Sequence, residues 1–314
     1  MMQVKSKSSN ILALDIGGTA CKFCMAKRST NGEITLRSRA ELIFDNSPEA
    51  PGIYTQLQNR LPTVIDEVVD TVAISATGQI DIDRGIVVGT AGHLKDWQNS
   101  DLKALVRPYC QNPDEAVISV INDVNAAALG EARHGAGRGI KQLLMITLGT
   151  GVGGGLIVDG KLLLGAHGLA GELGHVPIFS QNPKRCSCGL LGCIETRCST
   201  RALIARSQEA GHPYRNGREF ITALTSDSTT QLTEIWETWI EDIAYALAGL
   251  SHLLNPERII IGGGISEVGP LLIDSLWEAL EKKLMPAFAH GLSLRAAELG
   301  NLAGLYGAIE ALYS

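Results

Sequence analysis

The stretch ILALDIGGTACKFCMAK (residues 11–27) contains two apolar runs separated by an acid, two glycines and a threonine. Apolar runs on both sides of a glycine turn are typical of the two strands of a β-hairpin. The pattern returns in LLMITLGTGVGGGLIVDG (residues 143–160), and RIIIGGGIS (residues 258–266) gives a third strand that ends in glycines. The sequence therefore predicts a duplicated α/β protein of two lobes, with a ligand-binding cleft between them.

The segments outside the hairpins alternate between strand and helix patterns. Strands are predicted at 71–78 and 116–121, and helices at 55–69, 125–135, 236–254 and 301–314. We expect a small N-terminal lobe over residues 1–121, completed by the C-terminal helix 301–314, and a large C-terminal lobe over residues 122–300.

The composition suits a globular chain that does not bind nucleic acid. The 314 residues are 45% hydrophobic and 19% charged, with a formal net charge of −6 and no dense lysine or arginine tract. Nucleic-acid binding depends on neutralising phosphates, which argues against it here. We expect a cytoplasmic protein, because the N-terminus lacks the apolar core of a signal peptide and no uncharged stretch resembles a membrane span. Seven cysteines in such a chain favour unbridged thiols or a metal over disulfides.

The two glycine turns, DIGGT and LGTGVGGG, are candidate phosphate-binding loops. Glycine allows successive backbone N–H groups to converge on a phosphate, and each turn adds a threonine hydroxyl. Asp15, at the end of the first strand, could hold a hydrated Mg²⁺ beside the phosphate. Plain hairpin turns are the alternative. Gly149, Gly151 and Gly154 also satisfy the dinucleotide fingerprint GxGxxG, but a strand follows them where that fingerprint needs a helix, which argues against a dehydrogenase.

Asn122 and Asp123 stand where a predicted strand gives way to a helix. Either side chain could cap the helix by accepting hydrogen bonds from its first N–H groups. Alternatively, a carboxylate at the carboxyl end of a parallel strand points into the crevice where ligands bind in α/β sheets. Such a carboxylate could accept the proton of a sugar hydroxyl that attacks a γ-phosphate.

Six motifs, taken in order, resemble the ROK family (repressor, open reading frame, kinase) of sugar kinases. They are DIGGT, INDVNAAALGE, LGTGVGGG, GAHGLAGELGH, CSCGLLGCIE and IIIGGGIS, and they extend from about Ile11 to Tyr313. The resemblance implies an α/β fold of the actin-like, ribonuclease-H-type class, with two lobes and a cleft between them. It also implies ATP-dependent phosphorylation of a hexose.

The resemblance further implies roles for individual residues. Asp123 matches the family's catalytic base. The residues that match its sugar-binding positions are Gly78, Asn122, Asp123, Glu172, His175 and Glu195. Those that match its ATP-binding positions are Asp15, Gly17, Gly18, Thr19, Gly149, Thr150, Gly151, Gly153, Gly262, Gly263 and Gly264. His93 stands where the family usually has an asparagine that touches the sugar, which leaves the identity of the hexose open.

The segment GHVPIFSQNPKRCSCGLLGCIE (residues 174–195) contains one histidine and three cysteines. His175, Cys186, Cys188 and Cys193 offer one nitrogen and three sulfur ligands, which are the number and softness that a tetrahedral structural Zn²⁺ takes. On spacing alone, incidental exposed thiols are the alternative. The family's zinc-bearing members share this arrangement, so the resemblance implies a structural zinc that orients His175 and the loop carrying Glu195.

The leading hypothesis for the function is an ATP:hexose 6-phosphotransferase that uses ATP and Mg²⁺. Glucose is the first choice of sugar, and N-acetylmannosamine or another hexose or amino sugar is the alternative. The family also includes sugar-responsive transcriptional regulators, which carry a DNA-binding helix-turn-helix before the first strand. Only ten residues precede Ile11 and the chain is acidic, so we expect an enzyme instead. The resemblance suggests a homodimer, with no nucleic-acid or membrane partner.

Overall fold

The computed structural model describes residues 10–89, 94–226 and 229–314, so that the predicted sugar-specificity position His93 lies outside the described residues. The chain forms two compact units. Unit 1 comprises Met1–His134, Lys161–Ala170 and Asn301–Ser314, and unit 2 comprises Gly135–Gly160 and Gly171–Gly300.

Strands occur in both units. In chain order they are β1 (Ile11–Ile16), β2 (Ala20–Arg28), β3 (Ile34–Ile43), β4 (Thr71–Ala76), β5 (Gln79–Asp81), β6 (Ile86–Gly89), β7 (Val117–Asn122), β8 (Leu143–Leu148), β9 (Val152–Val158), β10 (Lys161–Leu162), β11 (Arg258–Gly262) and β12 (Ser293–Ala296). The predicted hairpins are therefore present as β1–β2 and β8–β9.

The helices differ widely in length. In chain order they are α1 (Ile53–Arg60), α2 (Leu102–Val106), α3 (Asp123–His134), α4 (Glu195–Cys198), α5 (Thr200–Glu209), α6 (Gly217–Ser226), α7 (Thr230–Leu254), α8 (Pro270–Glu281), α9 (Pro286–Ala289) and α10 (Ala303–Ala311). Single 3₁₀ turns occupy Leu61–Thr63, Arg107–Tyr109, Leu173–His175, Gly264–Val268 and Gly300–Leu302. Within the part of the chain that the structure describes, no helix combines the length and apolar character that crossing a bilayer requires.

The sheet of unit 1 has the strand order β3-β2-β1-β4-β7. β1 pairs antiparallel with β2 and parallel with β4, which in turn pairs parallel with β7. The central strands β1 and β4 are mostly apolar, as expected for strands that have both faces covered by hydrophobic side chains. The register aligns Ile16, Ala76 and Asn122, so three parallel strands end at one edge of the sheet.

The C-terminal helix α10 belongs to unit 1 and packs against α3. A side chain at Gly307 would overlap the carbonyl of Ala126, so the two helix backbones approach closely at this glycine. Glu310 on α10 also accepts a hydrogen bond from Arg28 on β2 at 3.2 Å. The sequence predicts a lobe boundary after residue 121, whereas the compact unit extends to His134 because α3 packs on α10.

Unit 2 contains the second hairpin in the strand order β9-β8-β11-β12. β8 pairs antiparallel with β9 and parallel with β11, which pairs parallel with β12. The long helix α7 contributes the buried rings of Trp236 and Trp239 to the core of this unit. A hairpin beside a parallel strand thus occurs in both units.

The helix α1 is shorter than the sequence predicts. Helical spacing extends over residues 55–69, but α1 ends at Arg60 and a 3₁₀ turn at Leu61–Thr63 follows. Pro62 is the physical reason, since its ring replaces the N–H that the next helical hydrogen bond needs and clashes with the preceding turn. The prediction for the second half of this segment was wrong.

Candidate functional site

The carboxyl ends of β1, β4 and β7 bring polar side chains of unit 1 together. Asp15 on β1 and Ser75 on β4 are register partners, and Ser75 Oγ donates a hydrogen bond to Asp15 Oδ1 at 2.6 Å. Thr77 and Gly78 follow β4, and Asp123 follows β7 as the first residue of α3. Open α/β sheets bind ligands at this edge, and the predicted base of unit 1 lies there.

Asp123 is a half-buried carboxylate with a raised pKa. Its Oδ1 accepts hydrogen bonds from Val124 N–H and Asn122 Nδ2, both at 2.9 Å. Burial, followed by the negative charge of Asp15, raises the pKa of Asp123 to about 6, although the Val124 N–H and the Thr77 hydroxyl act to lower it. Such a carboxylate is largely ionised near pH 7 and is basic enough to accept a proton.

Asn122 provides the cap of α3. Its Oδ1 accepts hydrogen bonds from the N–H groups of Val124 at 2.9 Å and Asn125 at 3.0 Å. Its Nδ2 donates to the carbonyl of Gly78 at 3.0 Å, which fixes the turn after β4. Gly78 has a φ of +99°, a conformation that favours glycine. Since Asn122 caps the helix, Asp123 is not needed for that role.

Asp15 is half-buried near the end of β1. Burial raises the pKa of Asp15, while the hydrogen bond from Ser75 and the positive charge of Lys22 act to lower it. The helix α10 lies against this carboxylate, because a side chain at Gly304 would come within 2.5 Å of Asp15 Oδ1. A single carboxylate of this kind suits a Mg²⁺ that keeps most of its waters.

The first glycine turn joins β1 to β2. The N–H of Gly17 donates to the carbonyl of Ala20 at 2.9 Å, which closes the turn, and the carbonyl of Thr19 accepts a hydrogen bond from Phe44 N–H at 2.8 Å. The N–H of Gly17 is therefore engaged within the protein. A phosphate at this turn would depend on the neighbouring groups of Gly18 and Thr19.

The second glycine turn, between β8 and β9, contacts a glutamate from a distant part of unit 2. The N–H of Val152 donates to Glu195 Oε2 at 3.1 Å, and a side chain at Gly151 would overlap the same oxygen. The N–H of Gly149 donates to the carbonyl of Gly151 at 3.0 Å, and the N–H of Thr200 donates to the carbonyl of Gly149 at 2.9 Å. The turn is thus fixed by α4 and by the start of α5.

The predicted ATP-binding glycines Gly262–Gly264 begin at the last residue of β11 and lie beside the second turn. Gly263 has a φ of +87°, and a side chain there would overlap the carbonyl of Leu148 at the end of β8. Thr150 lies in the turn itself, and Gly153 lies on β9. All the ATP-binding residues predicted in unit 2 therefore lie at one end of its sheet.

The four residues predicted to bind a metal form a compact cluster. Their ligand atoms lie within 4.8 Å of one another, in His175, Cys186, Cys188 and Cys193. A tetrahedral zinc with Zn–S of about 2.3 Å and Zn–N of about 2.0 Å separates two sulfurs by about 3.8 Å and a sulfur from a nitrogen by about 3.5 Å. The sulfurs of Cys188 and Cys193 are 3.7 Å apart, and Cys186 Sγ is 3.5 Å from His175 Nδ1. The cluster therefore fits this metal.

The two glutamates predicted to contact sugar lie beside the cluster. Glu172 Oε2 is 3.9 Å from His175 Nε2, so the imidazole has Cys186 on one side and a carboxylate on the other. Glu195 is buried, and its Oε1 accepts a hydrogen bond from Arg201 at 3.2 Å. Glu195 therefore contacts both Cys186 of the cluster, through Oε1, and the second glycine turn, through Oε2.

Three polar residues of these sites were missed from the sequence. Ser75 and Thr77 act on Asp15 and Asp123 respectively, and Arg201 pairs with Glu195. For the first two, a signal was present in ISATG, where two hydroxyl residues alternate at the end of a buried strand and so lie on one face. Arg201 had no comparable signal, because one arginine in a helix is ordinary.

Comparisons with known proteins agree with this geometry. Residues 11–313 match the model of the ROK family. A glucokinase of Halalkalibacterium halodurans is 32% identical over 94% of this chain and 92% of its own, and an N-acetylmannosamine kinase of Pasteurella multocida is 29% identical over 95% and 94%. The crystal structure of a ROK family glucokinase from Streptomyces griseus, in complex with glucose and AMPPNP, superposes with a TM-score of 0.75 at 28% identity, covering 96% of this chain and 98% of that one. The similarity confirms the predicted actin-like α/β fold.

Proposed function

The chain belongs to the ROK family, and from this premise we propose that it is an ATP-dependent sugar kinase, which transfers the γ-phosphoryl group of ATP to the 6-hydroxyl of a hexose. The observation that carries the proposal is the carboxylate of Asp123 at the carboxyl end of β7, with its pKa raised to about 6. Asn122 caps the adjoining helix, which leaves Asp123 for proton transfer.

In the proposed reaction, Asp123 accepts the proton of the 6-hydroxyl as that oxygen attacks the γ-phosphorus in line. The new O–P bond forms as the bond to the departing ADP oxygen breaks, and the proton remains on the carboxyl group. A base is useful here because a neutral hydroxyl is a weak nucleophile, and general-base assistance contributes about 10²–10⁴-fold in rate. A pKa of about 6 keeps most of the Asp123 population ionised at neutral pH.

The remaining contacts are proposed from the family resemblance and from the geometry within each unit. The sugar contacts are Gly78, Asn122, Glu172, His175 and Glu195. The ATP contacts are Asp15, the turn Gly17–Thr19, the turn from Gly149 to Gly153, and Gly262–Gly264. Mg²⁺ held through Asp15 would offset the charge of the phosphates.

Glucose is the sugar we propose first, because a relative named glucokinase spans nearly the whole chain. N-acetylmannosamine is the second candidate, favoured by the N-acetylmannosamine kinase that also matches across most of the chain. The two sugars differ at carbon 2 and share the 6-hydroxyl, so that the same base serves either substrate. The choice between them falls to the residues around carbon 2.

A coupled assay of ADP release with ATP and Mg²⁺ tests this function across a panel of hexoses and N-acetylhexosamines. We expect turnover that depends on the sugar and favours one member of the panel. Asp123→Asn should bind that sugar in calorimetry and lose kcat by at least about 10²-fold, given the usual size of general-base effects. Retention of more than about a tenth of kcat would remove Asp123 as the base.

We also propose that His175, Cys186, Cys188 and Cys193 hold a structural Zn²⁺, since the distances between their ligand atoms match a tetrahedral site. Four protein ligands leave no open position, so the ion would shape the loop and hold no substrate. Metal analysis of the purified chain should find one zinc per chain, and Cys188→Ser should lower that content and the thermal midpoint of unfolding. A wild-type chain that is folded and free of zinc after preparation in zinc-supplemented medium would contradict the proposal.

We further propose that the kinase acts as a homodimer in the cytoplasm. The dimer follows from the family resemblance, and the location follows from the use of ATP as phosphoryl donor. Light scattering coupled to size-exclusion chromatography measures the mass directly, and a mass of one chain across micromolar concentrations would contradict the dimer.

A further inference from the structure

We propose that Glu195 is a positioning residue, which connects the metal cluster of His175, Cys186, Cys188 and Cys193 to the second glycine turn, so that the affinity for ATP depends on that cluster. The inference deepens the proposed function and rests on it for the binding of ATP at this turn. The family resemblance implies a sugar contact for Glu195 and a structural zinc for the cluster, and neither of these roles involves the nucleotide.

The two oxygens of Glu195 face different parts of unit 2. Oε2 accepts a hydrogen bond from Val152 N–H at 3.1 Å, at the start of β9. A side chain at Gly151 would come within 2.4 Å of the same oxygen, so the carboxylate lies directly against the backbone of the turn. Oε1 lies 3.7 Å from Cys186 Sγ and 3.3 Å from Ser187 Oγ, both in the metal-binding loop (residues 175–193). One buried carboxylate therefore contacts the loop and the turn at the same time.

Ser187 makes the contact with Glu195 sensitive to the metal. It stands between Cys186 and Cys188, so a metal held by both cysteines would fix the backbone that carries its hydroxyl. Cysteine binds a metal as a thiolate, which has no proton to donate. With the metal bound, the Ser187 hydroxyl would therefore remain as the donor from the loop to Glu195 Oε1, whereas the thiol of Cys186 would not.

The backbone also connects Glu195 to the cluster. Glu195 is the first residue of α4 and follows Cys193 by two positions. Between them, the N–H of Ile194 donates to the carbonyl of Val176 at 3.0 Å, and Val176 is the residue after His175. The neighbours of two metal-binding residues are thus held together immediately before Glu195. A displacement of either metal-binding residue would change the position of Glu195.

The second glycine turn depends on α4 and α5 at both of its ends. At one end, the carbonyl of Gly149 accepts a hydrogen bond from Thr200 N–H at 2.9 Å. At the other end, Val152 N–H binds Glu195, whose Oε1 also accepts from Arg201 at 3.2 Å. Glycine permits many backbone conformations, so a turn rich in glycine needs such contacts to hold its N–H groups in place for a phosphate. Loss of the contact with Glu195 should therefore weaken nucleotide binding.

Ser187→Ala tests the link from the side of the loop and leaves the carboxylate of Glu195 in place. We expect the dissociation constant for ADP, measured by calorimetry in the presence of Mg²⁺, to rise about threefold, the effect of losing one weak hydrogen bond. Ser207→Ala is the matched control, because the Ser207 hydroxyl donates to the carbonyl of His212 at 2.9 Å, elsewhere in unit 2. The control should bind ADP as the wild-type chain does.

Glu195→Gln tests the link at its centre. An amide has one oxygen, which cannot serve both Val152 N–H and Arg201 as the carboxylate does, so the dissociation constant for ADP should rise about tenfold. Glu257→Gln is the matched control, since Glu257 Oε1 accepts from the N–H groups of Lys141 at 3.0 Å and Gln142 at 2.9 Å, before β8. If both variants weaken ADP binding equally, a general loss of stability explains them and the link is contradicted.

Hydrogen exchange at the Val152 amide gives a readout that needs neither nucleotide nor turnover. NMR of chain labelled with isotopic valine follows this amide, with Val152→Ile identifying its signal and the Val72 amide of unit 1 as internal reference. The zinc-supplemented chain is compared before and after metal removal by a chelator. We expect exchange at Val152 to become about tenfold faster after metal removal and about threefold faster in Ser187→Ala, because each change loosens the acceptor, while Val72 stays unchanged.

The outcomes lead to different conclusions. Faster Val152 exchange together with weaker ADP binding supports the coupling. Unchanged Val152 exchange, either in folded Ser187→Ala or after metal removal, overturns it, and so does wild-type ADP affinity in Ser187→Ala and Glu195→Gln. A wild-type chain that shows faster Val152 exchange after metal removal but binds no ADP keeps the connection from cluster to turn and overturns the proposed function instead. Thermal unfolding checks that each variant is folded, and Ser187→Ala carries the test if Glu195→Gln does not fold.

Discussion

In unit 1 the hairpin β1–β2 lies beside the parallel strand β4, and in unit 2 the hairpin β8–β9 lies beside the parallel strand β11. When the ends of β1 and β8 are aligned, Asp15 of the first corresponds to Thr147 of the second. In unit 1 the carboxylate therefore belongs to a residue of strand β1 itself. In unit 2 the equivalent residue of β8 is a threonine, and the carboxylate that contacts the turn is that of Glu195 in α4.

The difference separates two ways of fixing a carboxylate. The position of Asp15 depends on the register of the sheet, because its partner Ser75 is the opposite residue on β4. The position of Glu195 depends on a loop that contains Cys186 and Cys193, so it depends on the cluster that those residues form. Changes to the metal cluster should therefore alter the second turn and leave the first turn unaffected.

The largest effect is expected from changing the aligned pair itself. Asp15→Asn removes a charge that would act on Mg²⁺ and phosphates, and we expect kcat to fall by about 10²-fold or more. Thr147→Val removes a hydroxyl while keeping a side chain of similar volume, and its kcat should stay within about threefold of wild type. Steady-state kinetics over a range of Mg²⁺ concentrations provides the measurement. Equal losses in both variants would show that the two strands carry equivalent chemistry, which contradicts the comparison.

The next effect concerns stability. Replacing a carboxylate with its amide should stabilise the protein at Asp123 in unit 1 and destabilise it at Glu195 in unit 2. Because the pKa of Asp123 is raised from 3.8 to about 6 on folding, the folded chain holds a proton more tightly than the unfolded chain between these values. The free energy of unfolding therefore falls as pH rises through this interval, by at most about 3 kcal/mol from this group. Asp123→Asn should thus be more stable than wild type at pH 8, with little advantage near pH 3.5.

Glu195→Gln provides the opposite case in unit 2. This carboxylate accepts hydrogen bonds from Val152 N–H and Arg201, so its loss should destabilise the protein by about 1–3 kcal/mol at pH 8. Urea unfolding of both variants at the two pH values measures the effects. Stabilisation by Glu195→Gln, or destabilisation by Asp123→Asn at pH 8, would contradict the difference between a carboxylate that burial destabilises and a carboxylate that its hydrogen bonds stabilise.

The same contrast explains what the sequence could predict. The hairpins were predictable because short apolar runs bounded by glycine have few other structures, and the cluster was predictable because histidine and cysteine are selective ligands. Thr77 and Ser75 were not identified, because their roles depend on the pairing of strands far apart in sequence; Ser75 and Asp15 are 60 residues apart. The sequence leaves Asn122 and Asp123 as two candidates for the cap of α3, and hydrogen-bond geometry was needed to assign that role to Asn122.

A smaller effect is expected at the turn glycines. A methyl group at Gly151 would overlap Glu195 Oε2, so Gly151→Ala must move Glu195 away from Val152 N–H. At Gly17, the nearest atom to such a methyl group is the carbonyl oxygen of Ala20 at 3.6 Å, an ordinary contact. We expect Gly151→Ala to raise the KM for ATP about tenfold, the effect of losing one buried hydrogen bond, and Gly17→Ala to change it less than threefold. The reverse order of KM values would contradict the assigned difference between the turns.

The smallest effect concerns the cation that accompanies each carboxylate. Arg201 donates directly to Glu195 at 3.2 Å but is half-exposed, whereas Lys22 acts on Asp15 through its charge and donates its hydrogen bond to Asn301. Partly exposed ion pairs contribute about 0.2–1 kcal/mol, so Arg201→Gln should lower the free energy of unfolding by roughly that amount, and Lys22→Gln by less. Salt should reduce the Arg201 effect because it screens the pair. Urea unfolding at low and high salt measures both effects. A larger loss of stability in Lys22→Gln than in Arg201→Gln would contradict this order, because it would show that Asp15 depends more on its cation than Glu195 does.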